Sequence, residues 1–101
     1  MKTIKRSKLM KMLGAVCCVS NLESSRSGRG VANQFEIDYE NGSAFQSYRS
    51  LIAVRCNGNL YLTDRHDYSA TTCKYANEWV GYTAAERRKM LENEEAILIV
   101  S

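Results

Sequence analysis

Two Asn-Gly dipeptides, each placed between stretches of alternating apolar and polar residues, constrain the fold of this chain more than any other feature. They are Asn41-Gly42 and Asn57-Gly58. Asn-Gly between such stretches indicates a β-hairpin, because both residues tolerate the left-handed backbone that tight turns require. The chain has no proline, so its turns depend on glycine and asparagine. The middle of the chain is therefore predicted to be an antiparallel meander.

The alternation predicts four strands, over residues 31–39, 45–48, 51–56 and 60–63. If one face of the meander is apolar, side-chain parity favours three-residue loops, 41–43 with a bulge at Gly42 and 57–59. Both hairpin glycines, Gly42 and Gly58, are then expected to adopt positive φ. The side chains expected to be largely buried are Phe35, Ile37, Phe45, Ile52, Val54, Leu60 and Leu62.

Helices are predicted on both sides of the meander. An apolar stripe from Leu9 to Val16, with Val19 at its end, indicates an amphipathic N-terminal helix. A second helix is predicted over 69–80, with Asp67 or Ser69 as its N-cap and Gly81 as its stop.

A third helix begins at the capping box of Thr83 and Glu86 and runs to about Asn93. The apolar run 96–100 predicts a final buried strand. The predicted fold class is α+β: an N-terminal helix, a four-stranded antiparallel meander, two helices and a C-terminal strand. Residues 1–101 are expected to form a single domain.

Charge is unevenly distributed along the chain. Residues 1–30 carry a net charge of +6, and residues 31–101 carry −3. The basic start followed by an apolar stretch is reminiscent of a signal peptide, but Lys11 interrupts it and no Ala-x-Ala site follows. No apolar stretch is long enough to span a membrane. We expect a cytoplasmic protein without a membrane partner.

The inventory of reactive side chains does not favour an enzyme. The four cysteines are Cys17, Cys18, Cys56 and Cys73, and they form no C-x-x-C pair. With one histidine they lack the spacing of a zinc site, so we expect reduced thiols, no metal and no cofactor. Cys17 and Cys56 occupy apolar-patterned positions, which predicts that both pack as small hydrophobes.

His66 lies in a polar turn between Asp64 and Asp67 without a second base, and Cys73 near a helix start has no partner histidine. We therefore expect a protein that binds rather than catalyses.

Seven short segments between Ser24 and Gly81 form a recognisable pattern. They are Ser24–Gly28, Val31–Phe35, Phe45–Tyr48, Leu60–Leu62, Asp67–Ser69, Thr71-Thr72 and Lys74-Tyr75. Together they resemble a family of small proteins from bacteriophages and other mobile elements of bacteria. The chain departs from that pattern at His66, where a tryptophan is usual, and at Trp79-Val80, where Phe-Leu is usual. If that tryptophan packs on the sheet, His66 is expected to be partly buried. The resemblance implies action in the cytoplasm of a bacterial host and implies no particular activity.

The sequence and the resemblance lead to two hypotheses about function, from different classes. The first is an inhibitor of a host defence complex, of the anti-CRISPR kind, that acts by protein–protein contact. Tyrosine and arginine are enriched in protein interfaces, and the candidate partner-binding residues are Tyr48, Arg49, Arg65, Tyr68 and Lys74. The alternative is a nucleic-acid-binding accessory protein that contacts phosphates with Lys5, Arg6, Lys8, Lys11, Arg26 and Arg29. Steep salt dependence would distinguish the second from the first.

Overall fold

A computed structural model describes residues 1–23 and 30–101. Seven strands and three helices occur within these residues. In chain order they are β1 (Thr3–Lys5), α1 (Arg6–Leu13), β2 (Val16–Glu23), β3 (Gly30–Tyr39), β4 (Gly42–Ser47), β5 (Ser50–Cys56), β6 (Asn59–Leu62), α2 (Ala70–Val80), α3 (Ala84–Glu92) and β7 (Ile97–Val100).

The strands form one mixed sheet in the order β1-β7-β6-β5-β4-β3-β2. Strand β7 is parallel to both β6 and β1, whereas the pairs from β2 to β6 are antiparallel. The parallel β6–β7 pair requires a crossover connection, which α2 and α3 provide. Helix α1 connects β1 at one edge of the sheet to β2 at the other.

The predicted fold class is wrong in its sheet and in its N-terminal third. The helix ends at Leu13, because Gly14 adopts φ 80° and ψ −153° and turns the chain. Residues 16–23 continue as β2, paired with β3, and not as a helix stripe. Val16 and Val19 are 56% and 58% exposed instead of packed against a core. Strand β1 has no counterpart in the prediction.

Both hairpins exist, but the predicted three-residue loops are wrong. Tyr39 pairs with Gly42, so Glu40 and Asn41 form a two-residue loop. Cys56 pairs with Asn59 around a second two-residue loop. The parity argument failed because it assumed one apolar face, whereas this sheet has apolar side chains on both faces.

The two hairpin glycines have different roles. Gly58 adopts φ 78°, as predicted, beside Asn57 at φ 53°. Gly42 does not have a positive φ. A Cβ at Gly42 would lie 2.2 Å from the Arg55 carbonyl oxygen and 2.9 Å from Leu13 Cδ2. Gly42 is therefore required by close packing and not by turn conformation.

Helices cover both faces of the sheet. On the α2/α3 face, Phe45 and its neighbours pack against residues of the two C-terminal helices, including Tyr75 and Leu91. On the α1 face, Leu9 and Leu13 pack over Ala44 and neighbouring residues. Of the side chains expected to be buried, Phe35 and Ile37 are half-buried, and those confirmed are Phe45, Ile52, Val54, Leu60 and Leu62.

The predicted ends of the two C-terminal helices are confirmed. Ser69 caps α2 by accepting a hydrogen bond from the Thr72 amide, and Gly81 ends it at φ 88°. The Thr83–Glu86 capping box begins α3. No helix in the described residues is long and apolar enough to cross a membrane.

Candidate functional site

A cavity of about 470 Å³ opens between the β4–β5 turn and the amino end of α2. We call it the arginine–tyrosine cavity. Asn33 and Ile52 contribute to it from β3 and β5. Its remaining lining residues come from two segments: Ser47–Ser50 on one side, and Arg65, Tyr68, Ser69 and Thr72 on the other.

The β4–β5 turn forms a rigid rim. Tyr48 adopts φ 55° and Asn33 adopts φ 66°, both in the left-handed region. The Tyr48 amide donates a hydrogen bond to the Asn33 carbonyl at 2.6 Å, and Gln46 Nε2 donates to the Tyr48 carbonyl at 2.9 Å. These bonds hold the turn so that the Tyr48 ring is 54% exposed.

The opposite rim is anchored to the sheet by Thr63. Its hydroxyl donates to the Leu51 carbonyl at 2.7 Å and accepts from the Arg65 amide at 3.3 Å. The Tyr68 amide then donates to the Arg65 carbonyl. The Arg65 guanidinium carbon lies 4.7 Å from the centroid of the Tyr68 ring, which is within the range of a cation–π interaction.

The wall nearest the core is polar. Ser69 Oγ donates to Thr72 Oγ1 at 3.1 Å, and Thr72 Oγ1 lies 3.0 Å from Ser47 Oγ. Gln34 is the cross-strand neighbour of Ser47 and is completely buried. Its two side-chain amide atoms have no hydrogen-bond partner among the described residues. Such buried, unpaired groups are uncommon in folded proteins.

The cavity is basic. Arg49 and Arg65 line it, and none of the lining residues that the structure describes is acidic. The nearby Asp67 is turned away, since its Oδ2 accepts a hydrogen bond from Arg88 Nη1 at 2.7 Å. The formal charge of the lining is therefore +2.

The structure brings four of the five predicted partner-binding residues to this cavity: Tyr48, Arg49, Arg65 and Tyr68. The fifth, Lys74, is exposed on α2, with its Nζ 5.2 Å from the Tyr75 ring centroid, and is not part of the lining. These four positions were predicted as partner-binding residues from their residue types alone, because arginine and tyrosine are enriched in protein interfaces.

Asn33, Ser69 and Thr72 were missed as site residues. The alternating pattern does not distinguish Asn33 from any other position of its strand, so its left-handed φ could not be predicted from that pattern.

The basic residues of the alternative function are placed elsewhere. Lys5 lies in β1, and Arg6, Lys8 and Lys11 lie on α1, all with exposed side chains. Helix α1 packs on the opposite face of the sheet from α2. Arg26 and Arg29 lie outside the described residues, so the structure does not place them.

His66 and Cys73 lie beneath the surface, where they contact a buried arginine. Arg87 Nε donates to His66 Nδ1 at 3.0 Å, and Arg87 Nη2 lies 3.7 Å from Cys73 Sγ. His66 is buried, as the resemblance implies. Burial lowers the pKa of His66 below its usual value of 6.5, Arg87 and Arg88 act in the same direction, and Asp67 opposes them. Both side chains therefore take part in packing between α2 and α3.

The remaining cysteines divide between core and surface. Cys56 is buried, whereas Cys17 and Cys18 are exposed on β2. The expectation that Cys17 packs in the core is wrong, because β2 lies at the edge of the sheet. No group of three or more metal-ligating side chains occurs in the described residues.

Comparison with known proteins places the chain in one family. The comparisons with curated proteins and with solved structures give no match. A family model matches residues 19–95, which is well over half of the chain and includes every lining residue of the cavity. The chain therefore belongs to DUF8033, a family of unknown function.

Proposed function

We propose that this chain is a non-enzymatic binding protein that holds a partner protein at the arginine–tyrosine cavity. The observation that carries the proposal is the convergence of Tyr48 and Arg49 with Arg65 and Tyr68, which come from separate segments, on one open cavity. Arginine and tyrosine supply large contact areas and charge-assisted hydrogen bonds, and they are enriched among residues that dominate binding energy.

The rim is already fixed in the unbound chain, which favours binding. The hydrogen bonds around Tyr48 set one side, and the cation–π contact sets Arg65 against Tyr68 on the other. Binding to ordered side chains loses less conformational entropy than binding that must order them. A partner would therefore meet the Tyr48 backbone and the Arg65–Tyr68 pair already in place.

The segments that carry the resemblance to phage proteins also support the cavity as the site. Four of them, at 31–35, at 45–48 and at the closely spaced 67–69 and 71–72, each contribute at least one lining residue. These three stretches of the chain are distant in sequence and adjacent in space. A binding surface formed by these segments together would account for the resemblance at all of them.

Our finer proposal is that the partner is a defence complex in the cytoplasm of a bacterial host, inhibited in the anti-CRISPR manner. Its support is the resemblance to proteins of bacteriophages and mobile elements. The test is a plasmid-interference assay in a host with an active CRISPR system. Expression of the chain is expected to restore plasmid survival, and unchanged interference contradicts this finer proposal.

The binding proposal itself is tested with two matched variants. Arg65→Ala/Tyr68→Ala removes one rim of the cavity, and Lys5→Ala/Arg6→Ala/Lys8→Ala removes charge from the opposite side of the sheet. Proteins captured from host lysate by the immobilised full chain are quantified by mass spectrometry. Circular dichroism establishes that both variants are folded.

We expect the first variant to reduce capture by about 30-fold, the effect of losing a contact of about 2 kcal/mol, and the second to change it little. The opposite ranking, with capture that falls steeply as salt rises, contradicts the proposal and supports nucleic-acid binding by the basic region.

A further inference from the structure

We propose that the arginine–tyrosine cavity recognises an anionic side chain of the partner protein and holds its phosphate or carboxylate oxygens between Arg49 and Arg65. This inference rests on the proposed function and names the chemistry that the cavity selects. It follows from the charge of the lining, from the donors around it and from the size of the cavity.

The guanidinium groups of the cavity have no carboxylate partner among the residues that the structure describes. Among residues 1–23 and 30–101, neither Arg49 nor Arg65 forms an ion pair. Arg65 lies against the Tyr68 ring, a contact that leaves the N–H donors at the edge of its guanidinium plane free. A guanidinium has five donors in a fork that matches the oxygens of a carboxylate or phosphate. Two such groups at one cavity favour an anion over a neutral ligand.

The amino end of α2 places the positive pole of the helix at one side of the cavity. Ser69 and Thr72 line the cavity, and the first turn of α2 contains no acidic residue that would offset its positive pole. The Ser69 side chain caps the Thr72 amide, while the earlier amides of the turn have no intrahelical acceptor. This helix end strengthens the attraction for an anion that the two arginines create.

The size of the cavity indicates a whole side chain and not a bare ion. Its volume of about 470 Å³ falls within the range of about 300–1,000 Å³ that is typical of sites for organic ligands. Tyr48, Tyr68 and Ile52 provide apolar surface for the stem of a side chain. The side chains of Ser47, Ser69 and Thr72 line the polar wall. The arrangement suits an anionic head on an apolar stem.

Three small probes of similar shape test this inference on the full chain: phenyl phosphate, phenylacetate and benzyl alcohol. Binding is followed by two-dimensional amide NMR, with shifts expected at Arg49, Arg65 and Ser69. Arg49→Gln/Arg65→Gln is expected to weaken binding of the anionic probe at least tenfold. The matched control is Lys8→Gln/Lys11→Gln, which removes the same charge from exposed positions of α1, on the opposite face of the sheet; this change is expected to leave binding unaltered.

Comparison of the two anionic probes identifies the chemical group that the cavity prefers. Preference for phenyl phosphate supports a phosphorylated side chain, and preference for phenylacetate supports aspartate or glutamate. Equal binding of benzyl alcohol overturns the inference, as does an anion site that the Lys8/Lys11 change removes and the Arg49/Arg65 change does not.

The two proposals fail in distinguishable ways. If capture of partner proteins depends on Arg65 and Tyr68 but no anionic probe binds, the inference is wrong and the proposed function stands. If the anions bind in the cavity but capture is insensitive to Arg65 and Tyr68, the proposed function is wrong, and so is the assignment of the anion to a partner protein.

Discussion

The left-handed residues Asn33 and Tyr48 determine the shape of the cavity at the residue scale. Asparagine enters this conformation readily, but for most L-residues it costs about 1–2 kcal/mol. Tyr48 nevertheless adopts φ 55°, held by its hydrogen bond to Asn33. Strain of this kind persists where the surroundings enforce it and is concentrated at functional sites. An exposed tyrosine in a strained turn is consistent with a binding role for its ring.

Two substitutions at Tyr48 separate the backbone conformation from the side chain. Tyr48→Asn and Tyr48→Val both remove the ring, but a β-branched residue resists the left-handed region. We expect Tyr48→Val to be less stable than Tyr48→Asn by about 1 kcal/mol, measured by urea unfolding. Equal midpoints for the two variants would show that the turn relaxes and that position 48 is not strained.

Gly42 and Gly58 provide a second comparison. Gly42→Ala places a methyl group against the Arg55 carbonyl, so the strands must separate, at a cost of about 3 kcal/mol. Gly58→Ala meets no atom within 4 Å and is penalised only by its positive φ, at about 1 kcal/mol. Thermal unfolding should therefore rank Gly42→Ala as the more destabilised. The reverse order would contradict the close approach of β4 to β5.

At the scale of elements, Arg87 links α2, α3 and the turn before α2. Its guanidinium is completely buried and donates to His66 Nδ1, the Asn77 side chain and the carbonyls of His66 and Tyr82. Among the described residues it has no carboxylate partner. A buried charge is tolerated only when its hydrogen bonds are satisfied. The position of α3 against the turn before α2 therefore depends on a neutral His66, whose Nδ1 accepts a hydrogen bond from Arg87 Nε.

Stability is expected to fall as the pH falls below the usual histidine pKa of 6.5. The pKa of His66 is lower in the folded chain than in the unfolded chain, mainly because burial disfavours the imidazolium. The unfolded state therefore binds a proton more readily in this range, and the free energy of unfolding decreases as the pH falls. Urea midpoints between about pH 8 and about pH 5 measure the effect. The control His66→Gln should flatten this dependence, and an unchanged slope would contradict it.

Local sequence signals predicted the elements whose partners are close in the chain. Strands β3 to β6 and the caps at Ser69 and Thr83 could be read from turn residues and periodicity. Strand β2 was misread because Val16 and Val19 fit a helical stripe as well as an edge strand. Only its pairing with β3 decides between them. Strand β1 was missed because its partner is β7, at the other end of the chain.

At the scale of the whole molecule, the basic N-terminal region is part of the core and not an appendage. Strand β1 lies at an edge of the sheet, and α1 buries Leu9 and Leu13 completely on one face. The exposed basic side chains of α1 point away from this contact. The charge asymmetry of the sequence therefore becomes a difference between the two faces of the molecule.

Removing the Leu9 side chain should show that this region stabilises the fold. Leu9→Ala leaves a cavity between α1 and the sheet and is expected to cost about 3 kcal/mol. Lys8→Ala, at the preceding and exposed position, is expected to change stability by less than about 0.5 kcal/mol. Calorimetry of both variants measures the difference. Equal melting temperatures would mean that α1 is not docked in solution.

The pairing of β1 with β7 also has a consequence for synthesis on the ribosome. Thr3 pairs with Leu98, so β1 waits for about 95 further residues to be made, which takes roughly 5–20 s at ordinary rates of elongation. The hairpins from β3 to β6 can form earlier, because each needs only its neighbour. The nascent chain therefore carries an unpaired β1, and an apolar cluster at α1 that still lacks Ile99, until β7 emerges. During that interval, chaperones that bind apolar segments near the N-terminus would have access to this chain.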